Sequence, residues 1–196
     1  MATPPKNLLA LARSSTGAVA GGGRPTTTSI DLHAAVARAL ELVRETCSDR
    51  EIEVVNAVPA PSPALAPPAD LDLVLSNLAQ NSALHAPRQS RTQVRFVSTS
   101  GALVWTNFAP DLDAADLPHL FDPFWRKNRA RSGGEHAGLG LSLVRALVRR
   151  WGGEASASLA DGELRIEISG LTPVDPAALP SGATSGSPAS PIQIGT

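Results

Sequence analysis

A single cysteine, Cys47, in 196 residues leaves no disulfide to staple the chain and no cysteine pair to hold a metal. Cys47 reads as a small apolar residue for a core. No apolar run reaches the roughly 18 residues that a membrane-crossing helix needs. The start carries only a short apolar patch before Arg13, which argues against a cleaved leader. An excess of one charge is missing too. The formal net charge is −1, which argues against a nucleic-acid binder or a protein held on a membrane surface by its charge. Lysine is scarce: Lys6 and Lys127 alone. The expected compartment is the cytoplasm.

This length suits one domain with loose ends, large enough to bury a core. Residues 1–28 read as a flexible N-terminal segment, because 14–28 hold mostly Ser, Thr, Gly and Ala. Residues 171–196, rich in Pro, Ala, Ser, Gly and Thr, read as a disordered tail. The folded part is then 29–170. Ser29 or Asp31 can cap a first helix with Leu32, Val36, Leu40 and Val43 on its apolar side. Ile52, Val54 and Val55 read as a strand, followed by a proline-rich connection from Pro59 to Pro68. A second helix puts Leu71, Val74, Leu75 and Leu78 on one stripe. Val94, Phe96, Leu103 and Trp105 alternate with polar neighbours around Ser98–Gly101, the pattern of a hairpin. A third helix runs from about Leu139 to Trp151. Beyond it, Ala155, Ala157 and Leu159 pair with Leu164, Ile166 and Ile168. One-faced strands and amphipathic helices predict an α+β fold: a two-layer α/β sandwich with a sheet on one side and three helices on the other.

Three segments suggest chemistry. On the second helix Asn77, Asn81 and His85 fall at i, i+4 and i+8 and share one face. Asparagine is a mediocre helix former, so two of them one turn apart in an apolar helix need a reason. An amide oxygen is a hard ligand that suits Mg²⁺. Gly138-Leu139-Gly140-Leu141 opens the third helix, where unpaired N–H groups can bind an anion. Between them, residues 108–137 show no steady period and read as a long loop with a short helical piece near Ala115–Leu120. That loop carries Arg126, Lys127, Arg129 and Arg131, cations suited to closing on a polyphosphate. Taken singly, each segment also fits a plainer role: a solvated helix face, a glycine hinge, a charged loop. Phe121, Phe124 and Trp125 also serve to anchor the loop on the core.

Taken together and in this order, Asn77–His85, Leu120–Arg126 and Gly138–Leu141 resemble the asparagine, phenylalanine and second glycine boxes of a known family. This is the ATP-binding catalytic domain of bacterial sensor histidine kinases, in the superfamily shared with gyrase, a heat-shock chaperone and mismatch-repair ATPases. The resemblance covers about 30–170. It implies a Bergerat-type fold with a mostly antiparallel mixed sheet and a long ATP lid. It also implies ATP and Mg²⁺ as cofactors, with Asn81 on the metal and Asn77 on phosphate or a metal-bound water. By the same resemblance, the backbone at Gly138, Leu139, Gly140 and Leu141 cradles phosphate. Arg126 or Lys127 approaches the γ-phosphate, and His85 and Phe121 belong to the nucleotide site. Relatives that hydrolyse ATP carry a glutamate where this chain has Asn77, which points to phosphoryl donation rather than an ATPase motor.

The chain departs from the family at the first glycine box, which reads Asn107-Phe108-Ala109-Pro110-Asp111. Asn107 replaces the aspartate that accepts the adenine amino hydrogen, and both glycines are lost. Leu84 stands where many relatives carry a basic residue. None of His33, His85, His119 and His136 has the setting of a phosphoacceptor, and His33 is expected at the surface. A phosphoacceptor histidine on a dimerisation domain, and a response regulator, are therefore the expected partners, with neither nucleic acid nor membrane contacted by this segment. Two rival readings remain: a degenerate interaction module of the same fold, and a serine kinase acting on a sigma-factor antagonist. The phenylalanine box weighs against the latter.

Overall fold

The computed structural model describes residues 24–127 and 138–175. The chain opens with β1 (Thr28–Asp31), α1 (Leu32–Glu41) and a short α2 (Arg44–Asp49). It continues through β2 (Glu53–Asn56), β3 (Pro63–Ala66), α3 (Pro68–His85), β4 (Arg91–Val97) and β5 (Ala102–Phe108). A single 3-10 turn at Leu117–His119 precedes α4 (Gly140–Arg150), and β6 (Ala155–Ala160), β7 (Glu163–Ile168) and β8 (Thr172–Pro173) complete the order.

Five strands form the main sheet in the order β2-β4-β5-β7-β6, with β2 parallel to β4 and the other pairs antiparallel. Alternation decides which face is buried. Val94, Leu103, Trp105, Leu164, Ile166 and Ile168 join the core, while Arg91, Arg95, Arg165 and Glu167 point the other way. Leu32, Val36, Leu71, Leu75, Leu78, Leu143, Val144 and Leu147 cover the inner face from the helices. Trp105 Nε1 donates to Ser82 Oγ at 2.8 Å, which fixes α3 over the centre of the sheet. The expected two-layer sandwich is therefore present.

The first helix is shorter than its apolar stripe suggests. It stops at Glu41, Leu42 is 70% exposed, and the chain re-enters the core through Val43, just before α2, and Cys47 on it. Asp31 is the residue that caps α1: its Oδ1 accepts from His33 N–H and from Ser62 N–H, both at 3.0 Å. His33, expected at the surface, is half-buried, with Nδ1 2.7 Å from the Val58 carbonyl.

A second, small sheet escaped the sequence reading. β3 pairs with β1 on one side and β8 on the other, both antiparallel. Three corrections follow: the segment 59–68 contains a strand, the ordered chain begins before residue 29, and it runs past residue 170. Leu171 is 3% exposed, and its burial carries the chain into β8.

Two helices position the candidate site. Pro68 begins α3, where its missing N–H costs nothing. At the other end Arg50 donates to the carbonyls of Ala83, Leu84 and Ala86, which satisfies helix-end acceptors and sets a cation against the negative pole. α4 lies antiparallel to α3. Arg150 at its end holds the buried carboxylate of Asp70 at the start of α3, with Nε 2.9 Å from Oδ2.

Candidate nucleotide site

Because the helices are antiparallel, the start of α4 meets the second half of α3. Asn77 is 6% exposed and its Nδ2 donates to the Leu73 carbonyl at 2.6 Å, one turn back. This leaves Oδ1 as the outward group, and it lies 3.3 Å from where a Cβ on Gly140 would stand. Gly140 is thus the residue that admits Asn77 to the start of α4. One turn further along α3, Asn81 is half-buried, and its amide has no hydrogen-bond partner among the described residues. His85, another turn on, is exposed. The three share a side but grade from buried to open.

The first turn of α4 is uncapped. Leu139 precedes it without a side-chain hydrogen bond to the helix, and the first i to i+4 bond is Leu143 N–H to the Leu139 carbonyl at 3.0 Å. The N–H groups of Gly140, Leu141 and Ser142 therefore have no intrahelical acceptor. Ser142 Oγ turns back to donate to the Leu139 carbonyl at 2.9 Å. An uncapped, positively polarised helix start with the Asn77 amide oxygen beside it has the chemistry to accept an anion. Leu139 is buried and Leu141 packs on the core, so at these positions only backbone is offered.

The two ends of the lid are tied together at its base. Phe124 N–H donates to the Gly138 carbonyl at 2.9 Å. Gly138 has φ +65°, and a Cβ there would stand 2.8 Å from the Trp125 carbonyl oxygen, so the crossing needs glycine. Phe121 is 5% exposed, and Arg145 on α4 lies over its ring at 5.4 Å while donating to its carbonyl at 3.0 Å. Phe121 in the core and Trp125 packed against it take the expected anchoring role, whereas Phe124 is 60% exposed and does not anchor the loop. Arg145 also reaches Asp122 at 3.5 Å, and His119 Nδ1 lies 3.0 Å from the same carboxylate. Those contacts, the His119 hydrogen bond first, hold the Asp122 carboxyl below its ordinary range.

Lys127 is engaged elsewhere than expected. Its Nζ lies 2.7 Å from Asp113 Oδ2 and also pairs with Asp116, so the ammonium is clasped inside the first half of the lid. Arg126 is half-buried beside it. Arg129, Arg131 and His136 lie outside the described residues. Asn107, next to last in β5, is 3% exposed, with Nδ2 donating to the Phe108 carbonyl at 3.2 Å. Ala109 N–H bonds the Gly162 carbonyl at 2.7 Å, so the altered glycine box continues as ordered chain against the last hairpin. Leu84 is 37% exposed.

Sequence reading missed Arg50, Asp113, Asp116 and Arg145. Each acts through a partner distant in the chain, and only the acid-rich start of the lid hinted at a clasp for Lys127. Among the described residues no group of three or more His, Cys, Asp or Glu side chains forms a metal cage, and no helix is long and apolar enough to cross a membrane. A cavity of about 290 Å³ lined by Arg24, Pro67, Trp151 and Gly170 sits at the far end of α4, away from the amides.

Comparison with known proteins agrees with this geometry. Residues 66–173 match the family described as histidine kinase-, DNA gyrase B-, and HSP90-like ATPase. The sensor histidine kinase TrcS of Mycobacterium tuberculosis is 41% identical over 58 residues, which is 30% of this chain and 11% of that protein. The sensor protein CutS of Streptomyces coelicolor is 34% identical over 96 residues, 47% of this chain and 23% of that protein. The chain thus spans less than a quarter of the length of either relative. Among solved structures, the mycobacterial sensor histidine kinase MprB superposes with a TM-score of 0.63 at 27% identity, covering 74% of this chain and 97% of that one. ShkA, solved with AMPPNP, gives 0.68 at 20% identity over 86% of this chain and 35% of its own, a likeness of fold. The chain belongs to the histidine kinase-, DNA gyrase B- and HSP90-like ATPase family, and within it the relatives are sensor histidine kinases.

Proposed function

We propose that this chain is the MgATP-binding catalytic domain of a two-component sensor histidine kinase. It presents the γ-phosphate to a histidine on a dimerisation and phosphoacceptor domain, from which a response regulator draws it. The observation that carries this reading is the uncapped start of α4 with the Asn77 amide oxygen beside it. In this reading the N–H groups of Gly140 to Ser142 take phosphate oxygens, and Asn81 supplies an amide oxygen to Mg²⁺. Bound Mg²⁺ offsets charge on the transferring group. Asn107 Oδ1 accepts from the adenine amino group. Arg126, and Lys127 once it leaves Asp113 and Asp116, face the polyphosphate from the lid.

Asn77 decides the reaction class. An amide cannot take a proton from water, so water is not activated and a protein acceptor is favoured. The protein's share of catalysis is then positioning and electrostatics. The test is displacement of a fluorescent ATP analogue by MgATP, followed by transfer of label from γ-labelled ATP to a purified dimerisation domain of a related kinase. Saturable binding and a labelled histidine are expected; no binding at millimolar MgATP defeats the reading. A cytoplasmic site of action is part of the same proposal.

A second reading, an interaction module that no longer uses nucleotide, has two observations in its favour. Ala109 and Asp111 replace the glycines, and Lys127 is clasped by carboxylates. It predicts capture of a receiver domain that is indifferent to ATP and to Asn81→Ala.

A further inference from the structure

Among the described residues, one fully buried side-chain polar atom lacks a hydrogen-bond partner: Thr92 Oγ1. Thr92 is 1% exposed on β4 and stands directly opposite Asn107 on β5. Their side chains share the helix-facing side of the sheet, alongside the row that pairs Val94 with Trp105. Directly opposed Cβ atoms in an antiparallel pair are about 4.5–5.5 Å apart, within reach of a hydroxyl and a carboxamide after a rotamer change. Asn107 Nδ2 is spent on the Phe108 carbonyl, while its Oδ1 has no partner among the described residues. An unmet buried hydroxyl beside an amide with a free acceptor is a costly arrangement unless a second orientation uses both.

We propose that Thr92 and Asn107 form a two-position amide switch that lets the site accept guanine as well as adenine nucleotides. The proposal rests on the nucleotide-binding reading above. In the orientation described, with Nδ2 held by the Phe108 carbonyl, Oδ1 is the amide's uncommitted acceptor, which fits the exocyclic amino group of adenine. In the other, Thr92 Oγ1–H donates to Asn107 Oδ1, and Nδ2 turns outward as a donor, which fits the O6 carbonyl of guanine. The Phe108 carbonyl released by the turn belongs to a residue 43% exposed, where water replaces the lost donor. A carboxylate at position 107 offers acceptors alone and rejects O6 in either orientation. The threonine hydroxyl is what makes the second setting available, so Thr92 is a positioning residue that acts through Asn107.

The experiment is competition of MgATP and MgGTP against a fluorescent ATP analogue on the full chain, read as the ratio of the two Kd values. The unaltered chain is expected to prefer ATP by about tenfold or less, the scale of a single hydrogen bond. Asn107→Asp is expected to raise that preference by at least about tenfold through the acceptor-only edge. Thr92→Val is expected to raise it in the same direction, and Thr92→Ser to restore the original ratio. A preference beyond about a hundredfold in the unaltered chain, more than one hydrogen bond supplies, overturns the switch. So does a ratio unmoved by Thr92→Val. Displacement by neither nucleotide defeats the nucleotide reading itself, and that outcome is distinct from ATP displacing alone.

Discussion

Asn77 Oδ1 and Gly140 meet closely: a Cβ on Gly140 would stand 3.3 Å from that oxygen, tight enough that one of them must give slightly. The contact joins the middle of the site helix α3 to the open start of α4, so a methyl group there tests the site more than the fold. In Gly140→Ala, alanine is the better helix former, while Asn77 must yield a few tenths of an ångström. These opposing effects leave stability within about 1 kcal/mol of the original. MgATP affinity falls about tenfold, as for one displaced polar contact. Denaturant unfolding and analogue displacement measure the two, and an unchanged affinity removes Asn77 from the site.

Asn81 gives the converse test. Its amide has no protein partner among the described residues, so the folded state does not depend on it. Asn81→Ala is expected to change stability by less than about 0.5 kcal/mol. Nucleotide affinity should lose most of its dependence on Mg²⁺ concentration, measured as Kd at several concentrations of the metal. Persistence of that dependence assigns the metal to another ligand.

How much of this was legible in the chain depends on how local each signal is. α3 and α4 announce themselves through sustained apolar stripes, and the last hairpin through strict alternation around a short turn; the first alternates less cleanly, since Val104 is apolar between Leu103 and Trp105. Asn77 and Gly140 were legible because amides and glycines are unusual where they stand. The small sheet was not, because its strands are only two to four residues long and contain Pro63 and Pro173. At that length, pairing with a distant segment outweighs any intrinsic preference. The break after α1 was hidden because Val43 continues the stripe of Leu32, Val36 and Leu40 and is buried, although the helix ends at Glu41. Lys127 drew notice for its rarity, but its partners lie 14 and 11 residues earlier, inside a loop without a period.

The clasp on Lys127 sets a pH window. The Lys127 hydrogen bond holds the Asp113 carboxyl below its usual range, and Asp113 and then Asp116 hold the Lys127 ammonium above its own. A lowered carboxyl stabilises the folded lid above about pH 4, and that contribution is lost as pH falls through its folded value. A raised ammonium contributes fully below about pH 10.4, and its contribution is lost as pH rises through its folded value. The clasp is therefore intact from about pH 4 to 10. Hydrogen exchange across 113–127, corrected for intrinsic rates, should stay flat between pH 5 and 9. The double variant Asp113→Asn with Asp116→Asn should speed that exchange at neutral pH. It should also tighten MgATP binding about twofold to fivefold at low salt, a gain that salt erases. If MgATP affinity does not respond, Lys127 has no part in phosphate binding.

Asp70 and Arg150 supply the last test, one of architecture rather than chemistry. Asp70 is 3% exposed at the start of α3, and Arg150 at the end of α4 holds both its oxygens. Removing the arginine leaves a carboxylate that solvent barely reaches. Arg150→Ala should cost about 2–3 kcal/mol, below the figure for a fully buried pair because the arginine is partly exposed. Arg38 and Asp72, both more than half exposed and 3.5 Å apart, form the control. Arg38→Ala should cost less than about 0.5 kcal/mol. The antiparallel docking that Arg150 enforces also brings Gly140 to Asn77, at the other end of the same two helices. Arg150→Ala should therefore weaken MgATP binding from about ten residues away along α4, under conditions where the variant remains folded. Equal losses for Arg38 and Arg150 in denaturant unfolding would show that this helix pair is held by its hydrocarbon alone.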